Sequence, residues 1–273
     1  MLIDTHVHLY NPRYEADLDA VLTRAGQAEV RAAMAPGTDL TSSRAAAALA
    51  ERYAEAPCRL FAAVGVHPTD AEKLTAEALE ELRALARHPR VVAIGEIGLD
   101  YYWPQVEERD WPCAAPDQQR AEFEAQLALA ADVGLPVIVH DRDAHDDTLA
   151  ILRAWVADDA QNTGVLHFYA GGVARLPQAL DLGFYIGVDG PVTFKNATEI
   201  HAIAREAPLD RLLLETDGPY LTPHPHRGQR NEPAYLTHIA ERVAALRGIT
   251  PDAVAEATTA NAIRLFDLPN LPL

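Results

Sequence analysis

His6 and His8 stand two positions apart in "MLIDTHVHLY", at the end of a run that otherwise suits a buried strand. In an extended strand, residues i and i+2 point to one face, so the two rings project side by side. A pair of hydrogen-bonded histidines at an exposed strand end explains them blandly; a metal site explains them as well. The other ionisable residues bear on that choice by where they fall. "GVHP" carries His67, "VVAIGEIGLD" places Glu96 inside an apolar run, and "PVIVHDRDA" runs into His140. "GVLHFYAGG" holds His167, and "LLLETDGPYL" holds Glu215 and Asp217. Any one of these alone reads equally well as a structural hydrogen-bonding group.

Taken together they imply more, because buried imidazoles and carboxylates are costly unless paired or coordinated. His6, His8, Glu96, His140, His167 and Asp217 need a countercharge, and a divalent cation supplies it. Nitrogen and oxygen donors without thiolate suit Zn²⁺, Mn²⁺ or Mg²⁺. Such a donor set exceeds the needs of one tetrahedral ion and predicts two ions, roughly 3.5–4 Å apart. A carboxylate bridges two ions where imidazole does not, and Glu96 is the better-placed bridge. Asp217 can hold one ion and accept a proton from metal-bound water, whose pKa the metal lowers toward neutrality. The resulting hydroxide is a nucleophile, and the chemistry is that of a hydrolase with Glu96 and Asp217 as its catalytic carboxylates.

Such residues need a scaffold that gathers them. Strand patterns are predicted over Leu2–His8, Val30–Ala35, Leu60–Val66, Val91–Ile97, Pro136–His140, Gly164–Phe168, Phe184–Val188 and Arg211–Thr216. Amphipathic helical patterns such as Ala76–Arg87 and Gln118–Val133 lie between them. Thr250 with Pro251 and Asp252 reads as a helix start, and Gly134 as a helix stop before a strand. Strands alternating with helices imply a parallel sheet, and this number over this length predicts an α/β fold of the (β/α)₈ TIM-barrel type. We expect it slightly distorted, with an extra C-terminal helix, and residues 1–273 forming a single domain. No Gly-x-Gly-x-x-Gly follows the first strand, which disfavours an open dinucleotide-binding sheet. In a barrel the C-terminal strand ends converge on one mouth, where the polar residues named above would meet. Tyr101–Pro116 is the longest unpatterned stretch, a length more often functional or mobile than incidental.

Composition bounds the partners. The chain has 273 residues, 49% of them hydrophobic and 23% charged, as in ordinary globular proteins. Its formal charge of −17 excludes a protein that coats nucleic acid through a basic stripe. It leaves room for an enzyme that grips one or two phosphates at a metal centre. Two cysteines, Cys58 and Cys113, make a disulfide framework unneeded, and no apolar run approaches a membrane span. The expectation is a cytoplasmic protein without a leader segment or membrane association, monomeric in preference to oligomeric.

The motifs "DTHVHL", "GVHP", "IGEIGLDYY", "VIVHDRDA", "LHFYAGG", "GFYIGVDGPVTFKN", "LLLETDGPYLTP", "RGQRNEP" and "TTANAIRLF" occur in this order along the whole chain. In this they resemble the TatD-like metal-dependent hydrolases of the amidohydrolase superfamily. The resemblance implies metal ligands at His6, His8, Glu96, His140, His167 and Asp217. It implies a Mg²⁺- or Mn²⁺-dependent deoxyribonuclease, typically a 3′–5′ exonuclease, with action at abasic sites in DNA repair known for some members and zinc found in crystallised ones. Other members resemble D-aminoacyl-tRNA deacylases, the alternative function for this chain. Asp141 stands where the family often has Ser, Gly187 lies near another such Ser, and the Tyr101–Pro116 stretch is longer than usual.

The expected substrate is DNA, single-stranded or at 3′ ends and bound transiently, with a hydroxide oriented by Asp217 attacking a terminal phosphodiester. His67 is placed in the substrate pocket by the resemblance, against the alternative of a turn histidine before Pro68. Arg142, Arg227 and Asn231 are candidates to position phosphate. Arg227 and Arg230 are alternatively partners for Glu232. Trp111, with Trp103, Tyr101 and Tyr102, is a candidate to stack on an unpaired base, against the alternative that these aromatics pack the loop onto the barrel. Two rivals to a nuclease are hydrolysis of an ester or amide by the same centre, and a non-enzymatic metal-binding scaffold. Convergence of Arg142, His67 and Asn231 on one oxyanion position would favour phosphate.

Overall fold

The computed structural model describes residues 1–108, 112–268 and 271. Eight parallel strands form one sheet in sequential order: β1 (Leu2–Asp4), β2 (Val30–Pro36), β3 (Arg59–Val64), β4 (Val91–Asp100), β5 (Val137–Arg142), β6 (Gly164–Leu166), β7 (Tyr185–Val188) and β8 (Leu212–Leu214). Between and after them come helices α1 (Leu18–Gln27), α2 (Leu40–Arg52), α3 (Ala76–Leu85), α4 (Pro116–Val133), α5 (His145–Asp158), α6 (Leu176–Asp181), α7 (Thr198–Glu206), α8 (Leu236–Arg247) and α9 (Pro251–Phe266). The architecture is a nearly closed (β/α)₈ barrel. Among the described residues, no helix is long and apolar enough to cross a membrane.

Side-chain alternation along the strands divides the core in two. Outward residues such as Leu60, Val64, Val137, Val139, Ile186 and Leu214 pack beneath the helices with Val21, Leu82, Phe123 and Ile239. Inward residues such as Ile3, Met34, Phe61, Ile138, Val165, Tyr185 and Leu213 fill the barrel, joined by Ala262, Leu265 and Phe266 of α9. The extra C-terminal helix therefore plugs one end of the barrel. Its Thr259 hydroxyl donates to Met1 O at 3.0 Å, and Asn261 Nδ2 donates to Leu209 O and Leu212 O at 2.9 Å each. All of these partners precede or begin strands, so α9 closes the N-terminal end and leaves the C-terminal mouth open.

Local signals set the helix ends. Thr250 caps α9 by accepting from Ala253 N–H, with Pro251 in the first turn, and Gly134 ends α4 at φ 69°, a left-handed conformation that favours glycine. The strand ends differ from expectation where the polar residues begin. β1 stops at Asp4 instead of His8, because the Asp4 carboxylate accepts the N–H groups of His6 (3.3 Å) and Thr216 (3.0 Å) and draws the chain off the ladder. β6 and β8 likewise stop before His167 and Glu215, whereas β4 continues to Asp100 and β5 to Arg142.

β1 and β8 share no regular ladder in the described sheet, and their continuations close the barrel. Thr5 N–H donates to Leu214 O at 3.1 Å, Asp217 N–H to His6 O at 2.9 Å and His8 N–H to Gly218 O at 2.8 Å. Val7 and Gly218 form a parallel bridge. The seam is thus made of the segments that carry His6, His8 and Asp217.

Candidate metal centre

Four donor atoms converge at that seam. Nε2 of His6 lies 3.3 Å from Nε2 of His8, 3.4 Å from Glu96 Oε2 and 4.0 Å from Asp217 Oδ1. Nε2 of His8 lies 3.9 Å from Glu96 Oε2 and 3.3 Å from Asp217 Oδ1. Donors held at about 2.0–2.2 Å around one tetrahedral ion are about 3.3–3.6 Å apart. These spacings fit a divalent cation with small adjustments, and the nitrogen and oxygen donors suit it chemically.

Glu96 faces a second group with its other oxygen. Oε1 lies 2.9 Å from His140 Nδ1 and 3.7 Å from His67 Nε2. One carboxylate thus stands between two donor groups, as a bridge must. His167 reaches the centre from another side: its ring stacks on that of His6 at 3.5 Å, and its Nδ1 is 2.9 Å from Glu215 Oε2, which leaves Nε2 as the atom available to a cation. The imidazole beside Glu96 and His140 is that of His67, whereas His167 is gathered with His6 and Glu215.

His67 nevertheless differs from the other imidazoles in its proton. Thr69 N–H donates to His67 Nδ1 at 3.2 Å, and the Thr69 hydroxyl sits 2.7 Å from the same atom. A backbone N–H has no acceptor role, so Nδ1 is the bare nitrogen and Nε2 of the neutral ring carries the hydrogen. Burial, then His140, drives its pKa down to about 3. His67 is a neutral donor pointed at the centre, a better partner for an anionic oxygen than for a metal.

Each remaining candidate histidine except His6 is braced by a hydrogen bond on its far side, as metal-bound histidines usually are. His8 Nδ1 meets the Tyr10 hydroxyl at 2.9 Å, His140 Nε2 meets Asp100 Oδ2 at 2.9 Å, and His167 meets Glu215. Asp100 is itself held by the N–H groups of Tyr102 (3.1 Å) and Trp103 (3.0 Å) on its other oxygen. Glu215 also accepts Phe168 N–H at 3.0 Å. Buried Nδ1 of His6 has no such partner among the described residues. The sequence marks Glu215 only as a polar strand end, outside the expected ligand set, and does not single out Asp100. The signal for both was a carboxylate closing an apolar strand.

The carboxylates dominate the electrostatics. Burial opposes charge throughout, yet Asp100 and Glu96 raise His140 to about 9, and Glu215 raises His167 to about 10. Against the same burial, the facing imidazoles hold Glu96 well below the ordinary carboxylate range and Asp217 below it. A field that keeps protons on buried imidazoles also favours a cation, which displaces those protons on binding.

The centre opens into a cavity of about 760 Å³. His67, Arg142, Trp103 and Tyr220 form part of its wall, with Asp70, Asp141 and Asp143. Two expected substrate residues are elsewhere. Asn231 is fully buried, and its side chain is spent on backbone: Nδ2 donates to Thr216 O (2.7 Å) and Tyr220 O (2.6 Å), and Oδ1 accepts Glu232 N–H (2.9 Å). The exposed Arg227 lies over the Phe194 ring at 4.1 Å and is not among the wall residues. Arg230 pairs with Asp17 at 2.6 Å and also approaches Glu232. Trp111 lies outside the described residues. Tyr101 bonds Asp147 and Arg120, in keeping with a packing role. The Gly187 departure has a local cause, since a Cβ there would collide with Glu215 Oε2. Asp141 accepts from His145 Nδ1 at 2.8 Å.

Residues 3–267 match the family model described as TatD related DNase. The chain belongs to this family. It is 41% identical to the metal-dependent hydrolase YabD of Bacillus subtilis, over 97% of this chain and 99% of that relative. It is 39% identical to the 3′–5′ ssDNA/RNA exonuclease TatD of Edwardsiella piscicida, over 98% and 100%. The solved structure of the TatD homologue YJJV of Escherichia coli K12 superimposes with a TM-score of 0.87 at 34% identity, covering 98% of each chain. This TatD-family chain is accordingly a metal-dependent hydrolase by family.

Proposed function

We propose that this TatD-family hydrolase is a 3′–5′ exonuclease that cleaves terminal phosphodiesters of unpaired DNA. The reading rests on Glu96, whose two oxygens face two donor groups. His6, His8 and Asp217 with Glu96 would hold one divalent cation; Glu96, His140 and His167 would hold the other, Mg²⁺ and Mn²⁺ being the working choices. Bound there, two such cations activate water and neutralise the charge that builds on a phosphoryl group.

The chain's own residues supply the rest. Asp217 directs Oδ1 toward His8 and offers its second oxygen to the proton of the attacking water. His67 donates from Nε2–H to a non-bridging phosphate oxygen, its tautomer fixed by Thr69. Arg142, its guanidinium 3.8 Å from the Tyr102 ring centroid, meets the charge of the same phosphate. Asp100 and Glu215 keep His140 and His167 turned toward the centre.

One observation favours a second reading, hydrolysis of an aminoacyl-tRNA ester. The cavity wall is acidic, with Asp70, Asp141 and Asp143, and among the described residues Arg142 is its one Lys or Arg. Of the trio expected to converge for phosphate, only His67 and Arg142 reach the cavity. Purified protein with Mg²⁺ or Mn²⁺, given 3′-labelled single- and double-stranded DNA and an aminoacyl-tRNA ester, decides between them. The nuclease reading expects mononucleotides released from the 3′ end and their loss in Asp217→Asn. Turnover of the ester alone, or DNA cleavage that survives Asp217→Asn, overturns it.

A further inference from the structure

Among the described residues, three large apolar side chains stand exposed: Tyr102, Tyr220 and Ile249. Two of them are at the metal-centre mouth. Tyr102 lies beneath Arg142, and Tyr220, 50% exposed, belongs to the cavity wall itself. An aromatic ring left open to water beside such a cavity offers a face on which a planar group can stack.

Tyr220 is also held in place. Its N–H donates to Asp217 O at 2.9 Å, its carbonyl accepts Asn231 Nδ2–H at 2.6 Å, and its hydroxyl accepts from Asn11 Nδ2 at 3.3 Å. Its ring centroid is 6.2 Å from that of His8. The ring is thus presented one side-chain width from a metal ligand, by a loop fastened to another.

Charge explains why such a surface is needed. A strand end brings several phosphates, but among the described residues the cavity wall offers one guanidinium beside its carboxylates, on a chain of formal charge −17. The cations, His67 and Arg142 meet the phosphate at the centre, and a contact indifferent to charge would add affinity for the rest of the terminal nucleotide. Base–aromatic stacking is such a contact, and it tolerates any base sequence.

We propose that Tyr220 is the platform on which the unpaired base of the terminal nucleotide stacks while its phosphodiester lies at the metal centre. The inference rests on the exonuclease reading and adds the part of the substrate that is recognised. A base still paired in a duplex has both faces covered by its neighbours, so the platform selects frayed or single-stranded ends.

The test compares two oligothymidylates, one ending in a normal 3′ nucleotide and one in an abasic tetrahydrofuran nucleotide, both with Mn²⁺. Wild-type kcat/KM should favour the base-bearing end by roughly tenfold. Tyr220→Leu should bring this ratio close to one, and Tyr220→Phe should restore it. Ile249→Ala is the control for an exposed apolar residue remote from the mouth. A ratio in Tyr220→Leu equal to wild type overturns the proposal. So does a parallel loss of Mn²⁺ affinity by calorimetry, which assigns Tyr220 a structural part. Failure of the wild type to cleave either end sinks the exonuclease reading and this one with it, whereas cleavage of both ends at equal rates sinks this one alone.

Discussion

His6 and Asp217 are joined twice: the Asp217 N–H donates to the His6 carbonyl at 2.9 Å, and Asp217 Oδ1 lies 4.0 Å from His6 Nε2. The first contact closes the barrel between the segments after β1 and β8, and the second helps to build the metal centre. Because the backbone contact does not involve the side chain, Asp217→Asn should leave the seam intact. It keeps a donor oxygen for the cation but loses the proton acceptor. Turnover should fall by about 10²–10⁴-fold while the thermal midpoint of unfolding barely moves. Steady-state kinetics beside a melting curve checks this, and a variant that melts many degrees early would show that the charge also holds the fold.

Asp100 should control cation affinity without touching the cation. Its Oδ2 braces His140 Nε2, and its Oδ1 is fixed by two backbone N–H groups. Asp100→Asn is expected to weaken Mn²⁺ binding by about 10–100-fold, the usual cost of losing such a brace. Isothermal calorimetry on metal-stripped protein reads this directly. Unchanged affinity would mean that packing alone orients His140.

Much of this site was legible before the fold was known, for a physical reason. Ionisable residues terminating apolar strands are costly in isolation, and a parallel barrel brings strand ends together, so pattern and topology jointly point to His6, His8, Glu96, His140, His167 and Asp217, whose side chains the structure gathers at one mouth. Loop residues carried no comparable constraint. Arg227 and Asn231 sit in the segment after β8, where direction is decided by partners distant in sequence. Phe194 takes the guanidinium of Arg227, and the carbonyls of Thr216 and Tyr220 take the amide of Asn231. The end of β1 was misplaced for a related reason. Strand periodicity through His8 was real, but Asp4 bonds Thr216, 212 positions away, and that contact leaves no trace in local pattern.

Asn231 should therefore behave as a strut between the two sides of Asp217. Asn231→Ala strands the buried carbonyl of Thr216 and removes the partner of the Tyr220 carbonyl, at a cost of about 1–3 kcal/mol. The thermal midpoint should drop by roughly 2–4 °C for each kcal/mol. A residue that touched substrate would instead raise KM and leave the midpoint alone.

The salt dependence of DNA binding should be shallow. With Arg142 as the one Lys or Arg of the cavity wall among the described residues, about one phosphate is neutralised by the chain, so log KM against log salt should rise with a slope of about 0.7. Arg142→Gln should flatten it further. A slope several times larger would reveal a basic track beyond the cavity.

Metal-free and metal-loaded protein should respond to pH differently. His140 is raised from 6.5 to about 9 and His167 from 6.5 to about 10, so the folded state binds more protons than the unfolded chain between those values. Stability from these two groups is fully present below 6.5 and is lost as pH rises through 9 and 10. Asp4, pushed up from 3.8 to about 7 by burial, acts in the same direction at lower pH: its contribution is lost between 3.8 and 7 and adds no slope above that. Protein stripped with a chelator should thus melt progressively lower from pH 7 to 9.5. A cation needs those imidazole nitrogens bare, so its affinity rises over the same interval, and its stabilisation grows with it. Melting curves with chelator and with saturating Mn²⁺ should diverge as pH rises, the gap widening toward pH 9.5. Parallel curves would mean that His140 and His167 do not exchange protons for metal, and that the cation is held elsewhere.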